Sequence, residues 1–83
     1  MEENYSKPEE VAELYTVLSS YHEEVGSIEN SLTCIQKVKT LYQELYSAED
    51  KRVIKARRKI ATFLLKSERF KEAVNELLEV VEL

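Results

Sequence analysis

At 83 residues the chain is one small domain, near the size at which a single core becomes marginal. One Gly, one Pro and many Glu, Lys, Leu and Ala favour an all-α fold, and a single cysteine, Cys34, excludes an internal disulfide and makes a reducing, cytoplasmic setting the expectation. The net charge is −4, no apolar run approaches the roughly 20 residues that cross a bilayer, and the acidic start Met1-Glu2-Glu3-Asn4-Tyr5 is no signal peptide.

Residues 1–8 read as a flexible lead-in, with Tyr5 ahead of the first cap. Ser6-Lys7-Pro8-Glu9 has capping-box spacing with Pro in the first turn, where its missing N–H costs nothing. A first helix is predicted over 9–25, with Val11, Leu14, Tyr15, Leu18, Tyr21 and Val25 at helical spacing until Gly26 stops it. Ser27 is placed to cap a second helix over 27–46, striped by Ile28, Leu32, Ile35, Val38, Leu41, Tyr42 and Leu45. Ser47-Ala48-Glu49-Asp50 is a polar link, and Asp50 caps a third helix over 50–66 through Val53, Ala56, Ile60, Phe63 and Leu64. Ser67 is expected to cap a fourth over 68–83, burying Phe70, Ala73, Val74, Leu77, Leu78, Val80 and Val81. The two pairs make units 9–46 and 50–83.

Displaced by 42 positions, the chain matches itself. Val11-Ala12-Glu13-Leu14-Tyr15 falls over Val53-Ile54-Lys55-Ala56-Arg57, Leu18-Ser19 over Ile60-Ala61, Ser31-Leu32 over Ala73-Val74, and Ile35 and Val38 over Leu77 and Val80. Such a period marks a stacked array, and arrays commonly bind other proteins. Ser19, Ser31, Ala61 and Ala73 are predicted at close helix crossings, with Ile28 and Phe70 opening the second helix of each pair and packing back across it.

The pattern Tyr15-x2-Leu18-Ser19-x2-His22-x3-Gly26-x-Ile28-x2-Ser31-x3-Ile35-x2-Val38, with Ile60-Ala61-x2-Leu64-x5-Phe70-x2-Ala73-x3-Leu77-x2-Val80, resembles the tetratricopeptide repeat (TPR). The family's usual period is 34, whereas 42 resembles the repeats of kinesin light chains and of a ciliary group of tetratricopeptide proteins, and is also compatible with HEAT or armadillo arrays. His22 and Leu64 replace the usual aromatic, Glu68 the usual Gly, and Arg57 takes the first large position. The resemblance implies two antiparallel helix-turn-helix repeats in a right-handed α-solenoid, serving as a cytoplasmic scaffold or adaptor in cytoskeletal or ciliary assembly.

The same resemblance implies peptide capture on the concave face of the first helices. There helix three is expected to present Lys55, Arg58, Thr62 and Lys66 with Lys59 beside them, and helix one Glu13, Thr16, Ser20 and Glu24 with Val17 alongside. Residues 1–50 carry eleven acidic and three basic side chains; residues 51–83 carry five and nine, six of the basic ones within 51–59. One reading is a basic platform for an acidic peptide, with Arg58 as a bidentate clamp. The other is a solvated face whose cations pair loosely with Glu13 and Glu24. Nucleic acid is a weak third reading, since no groove-reading motif and no aromatic residue interleaves the basic run.

No catalytic, cofactor or metal constellation stands out. His22 is the lone histidine and reads as a packing residue; Cys34 lacks a partner at ligand spacing; Glu9-Glu10 and Glu23-Glu24 are neighbours pointing about 100° apart on a helix. A non-catalytic chain is expected. Tyr15, Tyr21, Tyr42 and Tyr46 read as core or half-buried residues, with Tyr15, Tyr21 or Tyr46 able to meet a partner. The apolar stripe still running at Leu83 suggests a piece of a longer array, or self-association through the last helix. A purely structural module that packs on neighbours without capturing a peptide is the rival to the adaptor.

Overall fold

The computed structural model describes residues 7–82: α1 Pro8–Glu24, α2 Ile28–Leu45, α3 Lys51–Lys66 and α4 Phe70–Glu82. The described residues contain no strand. The expectations for Ser6, Tyr5 and Leu83 fall outside them.

Pro8 opens α1 behind an extended Lys7, whose backbone N–H donates to the Glu10 carboxylate at 3.4 Å. That supplies half of a capping box, one residue later than Ser6 and Glu9 would place it. At the far end Gly26 N–H donates to the Glu23 carbonyl (3.1 Å) and Ser27 N–H to that of His22 (2.8 Å), a Schellman closure with Gly26 at φ 83°. The same two bonds recur 42 residues on, from Glu68 to Leu65 (3.0 Å) and Arg69 to Leu64 (2.8 Å), with Glu68 at φ 61°. Ser67 therefore ends α3 instead of capping α4, which starts at Phe70. Ser27 accepts no capping bond on its side chain, whereas the Asp50 carboxylate accepts from Arg52 N–H at 2.9 Å and starts α3.

Each helix packs on its sequence neighbours alone: α1 on α2, α2 on α3, α3 on α4. The outcome is an open row measuring 43 × 32 × 14 Å, in which α1 and α4 do not meet. The core lies at its middle, where Leu32, Ile35 and Val38 of α2 join Ala56, Ile60, Phe63 and Leu64 of α3 and Ala73 of α4, flanked by Tyr15, Ile28 and Tyr42. All four small residues are buried. The Ser19 hydroxyl donates to the Ser31 carbonyl (3.1 Å) and the Ser31 hydroxyl to that of Ser19 (2.9 Å), so the α1–α2 crossing is bonded across the gap. Ala61 and Ala73 occupy the α3–α4 counterpart without hydroxyls.

The outer helices depart from expectation. On α1, Leu14, Leu18 and Tyr21 are exposed, as is Val25 just past its end; on α4, so are Phe70, Val74, Leu77, Leu78 and Val81, leaving Ala73 buried and Val80 half-buried. Leu45 is exposed at the end of α2. Apolar periodicity marks a face that has something to bury, but burial needs a neighbour, and the end members of an open row have one each.

Candidate interaction groove

On a helix with about 100° between successive residues, Arg52, Lys55 and Lys59 fall within about 60° of one another along α3, and Ala56 faces inward beside them. This edge meets α2 and α1 to form a groove of about 220 Å³ lined by Arg52, Lys55, Lys59, Ala56, Ile35, Val38, Tyr42 and Thr16. Its floor is apolar and buried; its rim carries three cations.

Arg52 is held by contacts on both sides. Its guanidinium lies 3.2 Å from the Asp50 carboxylate and 4.1 Å from the centre of the Tyr46 ring, a cation–π geometry. The Tyr46 hydroxyl in turn donates to Glu9 at the start of α1, and this acceptor favours the protonated phenol and raises its pKa above the usual 10.0. Tyr46, just past the end of α2, thus links Arg52 of α3 to Glu9 of α1.

Of the residues singled out from sequence, Thr16, Lys55 and Lys59 line the groove. Arg58, Thr62, Glu13, Ser20 and Glu24 are exposed outside it. Arg58 sits about 120° around α3 from Arg52, wider than the span of the three rim cations, and does not line the groove. Thr16 and Thr62 spend their hydroxyl protons on the carbonyls of Ala12 (2.9 Å) and Arg58 (3.0 Å) in their own helices. Lys66 is paired with Glu23 of α1 at 2.8 Å, which holds the Glu23 carboxyl below its ordinary range. Sequence reasoning missed Arg52, although its spacing of three to Lys55 and seven to Lys59 is the regular signature of a shared edge. It also counted Ile35, Val38 and Tyr42 as core alone.

The other cations of the basic run tie helices together. Arg57 is 11% exposed and reaches Glu79 (2.6 Å) and Glu76 (3.4 Å) on α4, with its Nε buried and unbonded. Arg69 bonds Glu72 and reaches Glu29 of α2 at 3.3 Å. A second, shallower depression of about 420 Å³ lies between α1 and α2, but its one cation, Lys37, is placed 5.2 Å from the Tyr15 ring centre.

His22 is half-buried and edge-on to Tyr21, with ring centres 5.5 Å apart, and Cys34 is a half-buried free thiol. Among the described residues no three His, Cys, Asp or Glu side chains gather closely enough to hold a metal ion, and no helix is long and apolar enough to cross a membrane. No family model, curated protein or solved structure matches this chain.

Proposed function

We propose that the chain is a non-catalytic helical-repeat module, of the right-handed tetratricopeptide-like kind, that captures an acidic segment of a partner protein in the groove between α1, α2 and α3. The observation that carries this reading is the convergence of Arg52, Lys55 and Lys59 over the apolar floor of Ile35, Val38 and Ala56. An acidic residue of the segment meets the rim while a neighbouring apolar side chain covers the floor, a division of labour common to peptide grooves. A cytoplasmic adaptor would use the module in this way to gather its partners.

The test is fluorescence anisotropy with a labelled peptide that alternates Glu or Asp with Leu, against a Lys-for-Glu control peptide. Lys55→Glu with Lys59→Glu should weaken capture at least about tenfold, with loss steepening at low salt. Arg58→Glu, outside the groove, should leave it unchanged. Equal capture by the chain and its Lys55/Lys59 double variant would overturn the proposal.

The rival reading, a structural module that packs on its own kind, is favoured by a different observation: the apolar faces of α1 and α4 left open at the two ends of the row.

A further inference from the structure

Those two open faces are related. The 42-residue displacement that superposes the turns places Leu14, Leu18 and Tyr21 of α1 on Ala56, Ile60 and Phe63 of α3, and Phe70, Val74 and Leu77 of α4 on Ile28, Leu32 and Ile35 of α2. Ala56, Ile60 and Phe63 are buried with Leu32 and Ile35 in the central core, with Ile28 packed against it. The exposed stripe of α4 is thus the α2 half of the internal α2–α3 interface, and the exposed stripe of α1 is the α3 half. Leu14 is 61% exposed and Val74 51%, so the two halves stand unoccupied in one molecule.

Charge follows the same relation. Displacing the groove by one repeat carries Thr16 onto Arg58, Arg52 onto Glu10 and Lys55 onto Glu13. Were α1 of a second copy to seat on α4 as α3 seats on α2, Arg58 of the first copy would face Glu10 and Glu13 of the second. Arg58 is an exposed α3 cation that the groove leaves aside, and Glu10 and Glu13 are exposed on α1. The positive excess of residues 51–83 lies on α3 and not on α4, so the charge complementarity of the contact is that of Arg58 with Glu10 and Glu13.

We infer that the chain self-associates head to tail, with the α4 stripe of one copy covered by the α1 stripe of the next, in a heterologous contact that repeats the internal α2–α3 packing. Such a contact does not close on a pair, so it propagates. A symmetric α4-to-α4 dimer would cover the α4 stripe but leave the α1 stripe open.

Sedimentation velocity on the 83-residue chain, without peptide, from about 10 µM to about 1 mM is the test. The wild type should grow in weight-average mass past the dimer as concentration rises. Leu14→Glu and Val74→Glu each spoil one face and should each sediment as a monomer. Mixed in equal amounts they should form a one-to-one pair and stop there, because the mixture holds one intact α4 face and one intact α1 face. Arg58→Glu should weaken assembly about tenfold, and Glu13→Arg in the same chain should restore it. Far-UV circular dichroism checks that each variant keeps its helicity; should a Glu variant lose it, Leu14→Ser and Val74→Ser take its place. A wild type that stays monomeric throughout, a Leu14→Glu chain that still dimerises, or a helical mixture that does not pair would each overturn the inference. None of these readouts involves peptide capture, so the groove can fail while the assembly stands, and the reverse.

Discussion

Glu68 holds a backbone conformation suited to glycine. The turn after α1 meets the same requirement with Gly26 at φ 83°, and the hydrogen bonds of the two turns correspond one for one. A side chain in the left-handed region costs about 1 kcal/mol, partly offset for glycine by the greater freedom of its unfolded chain. Glu68→Gly should therefore stabilise the protein by about 0.5 kcal/mol, a rise of a few degrees in Tm for a chain of this length. Gly26→Ala should destabilise it by about 1 kcal/mol. A Cβ at Gly26 would meet no atom within 4 Å, so that loss is conformational and not steric. Urea unfolding of the two variants should show opposite shifts in midpoint at an unchanged m-value; a destabilised Glu68→Gly would refute the reading of the turn.

At the scale of elements, the apolar period and the turn residues of the sequence made the four helices and their order legible, because both signals are local. What covers each stripe is a long-range fact. Ile35 and its copy Leu77 read alike in sequence, yet Ile35 of α2 is buried while Leu77 of α4 is exposed, since α2 has two neighbours and α4 one. The groove was half legible for the same reason: Lys55 and Lys59 could be placed on an edge of α3, but whether Arg52 or Arg58 shared it depended on where α2 lies. The ion pairs between elements were less legible still, and Lys66 found Glu23, not Glu13 or Glu24. That pair links the ends of α1 and α3, which share no backbone packing. The Lys66 hydrogen bond, aided by the charges of Lys66 and Lys59, holds Glu23 below its ordinary 4.5. A carboxylate with a lowered folded pKa contributes stability above its ordinary value and loses it as pH falls through the folded one. Stability should thus drop on acidification below about 4.5 by more in the wild type than in Lys66→Gln, and the two Tm curves should converge at the acid end. Parallel curves throughout would show that the pair contributes nothing.

For the molecule as a whole, an open row distributes stability unevenly. Each helix in the interior is held from two sides, and the central core of α2 and α3 has no counterpart at either end. α4 is the weakest member: it is the shortest helix, it docks on α3 alone, and Ala73 is its one fully buried residue among those described. Its other attachments are ionic, from Arg57 and Arg69, and partly exposed pairs of that kind contribute little individually. Chains built from nearest-neighbour contacts open from their ends, in units that need not involve the rest. Native-state hydrogen exchange in dilute solution should therefore show α4 amides exchanging through a local opening, at lower free energy and lower denaturant dependence than Val53–Leu64 of α3. Exchange of α4 and α3 at one common free energy would mean that the row unfolds as a single cooperative block. Raising the concentration adds a discriminating arm, because a second copy seated on the α4 stripe supplies the neighbour that the helix lacks. Protection of α4 should then climb toward that of α2 in the wild type and stay low in Val74→Glu, whose stripe is spoiled while its contacts with α3 through Ala73 remain.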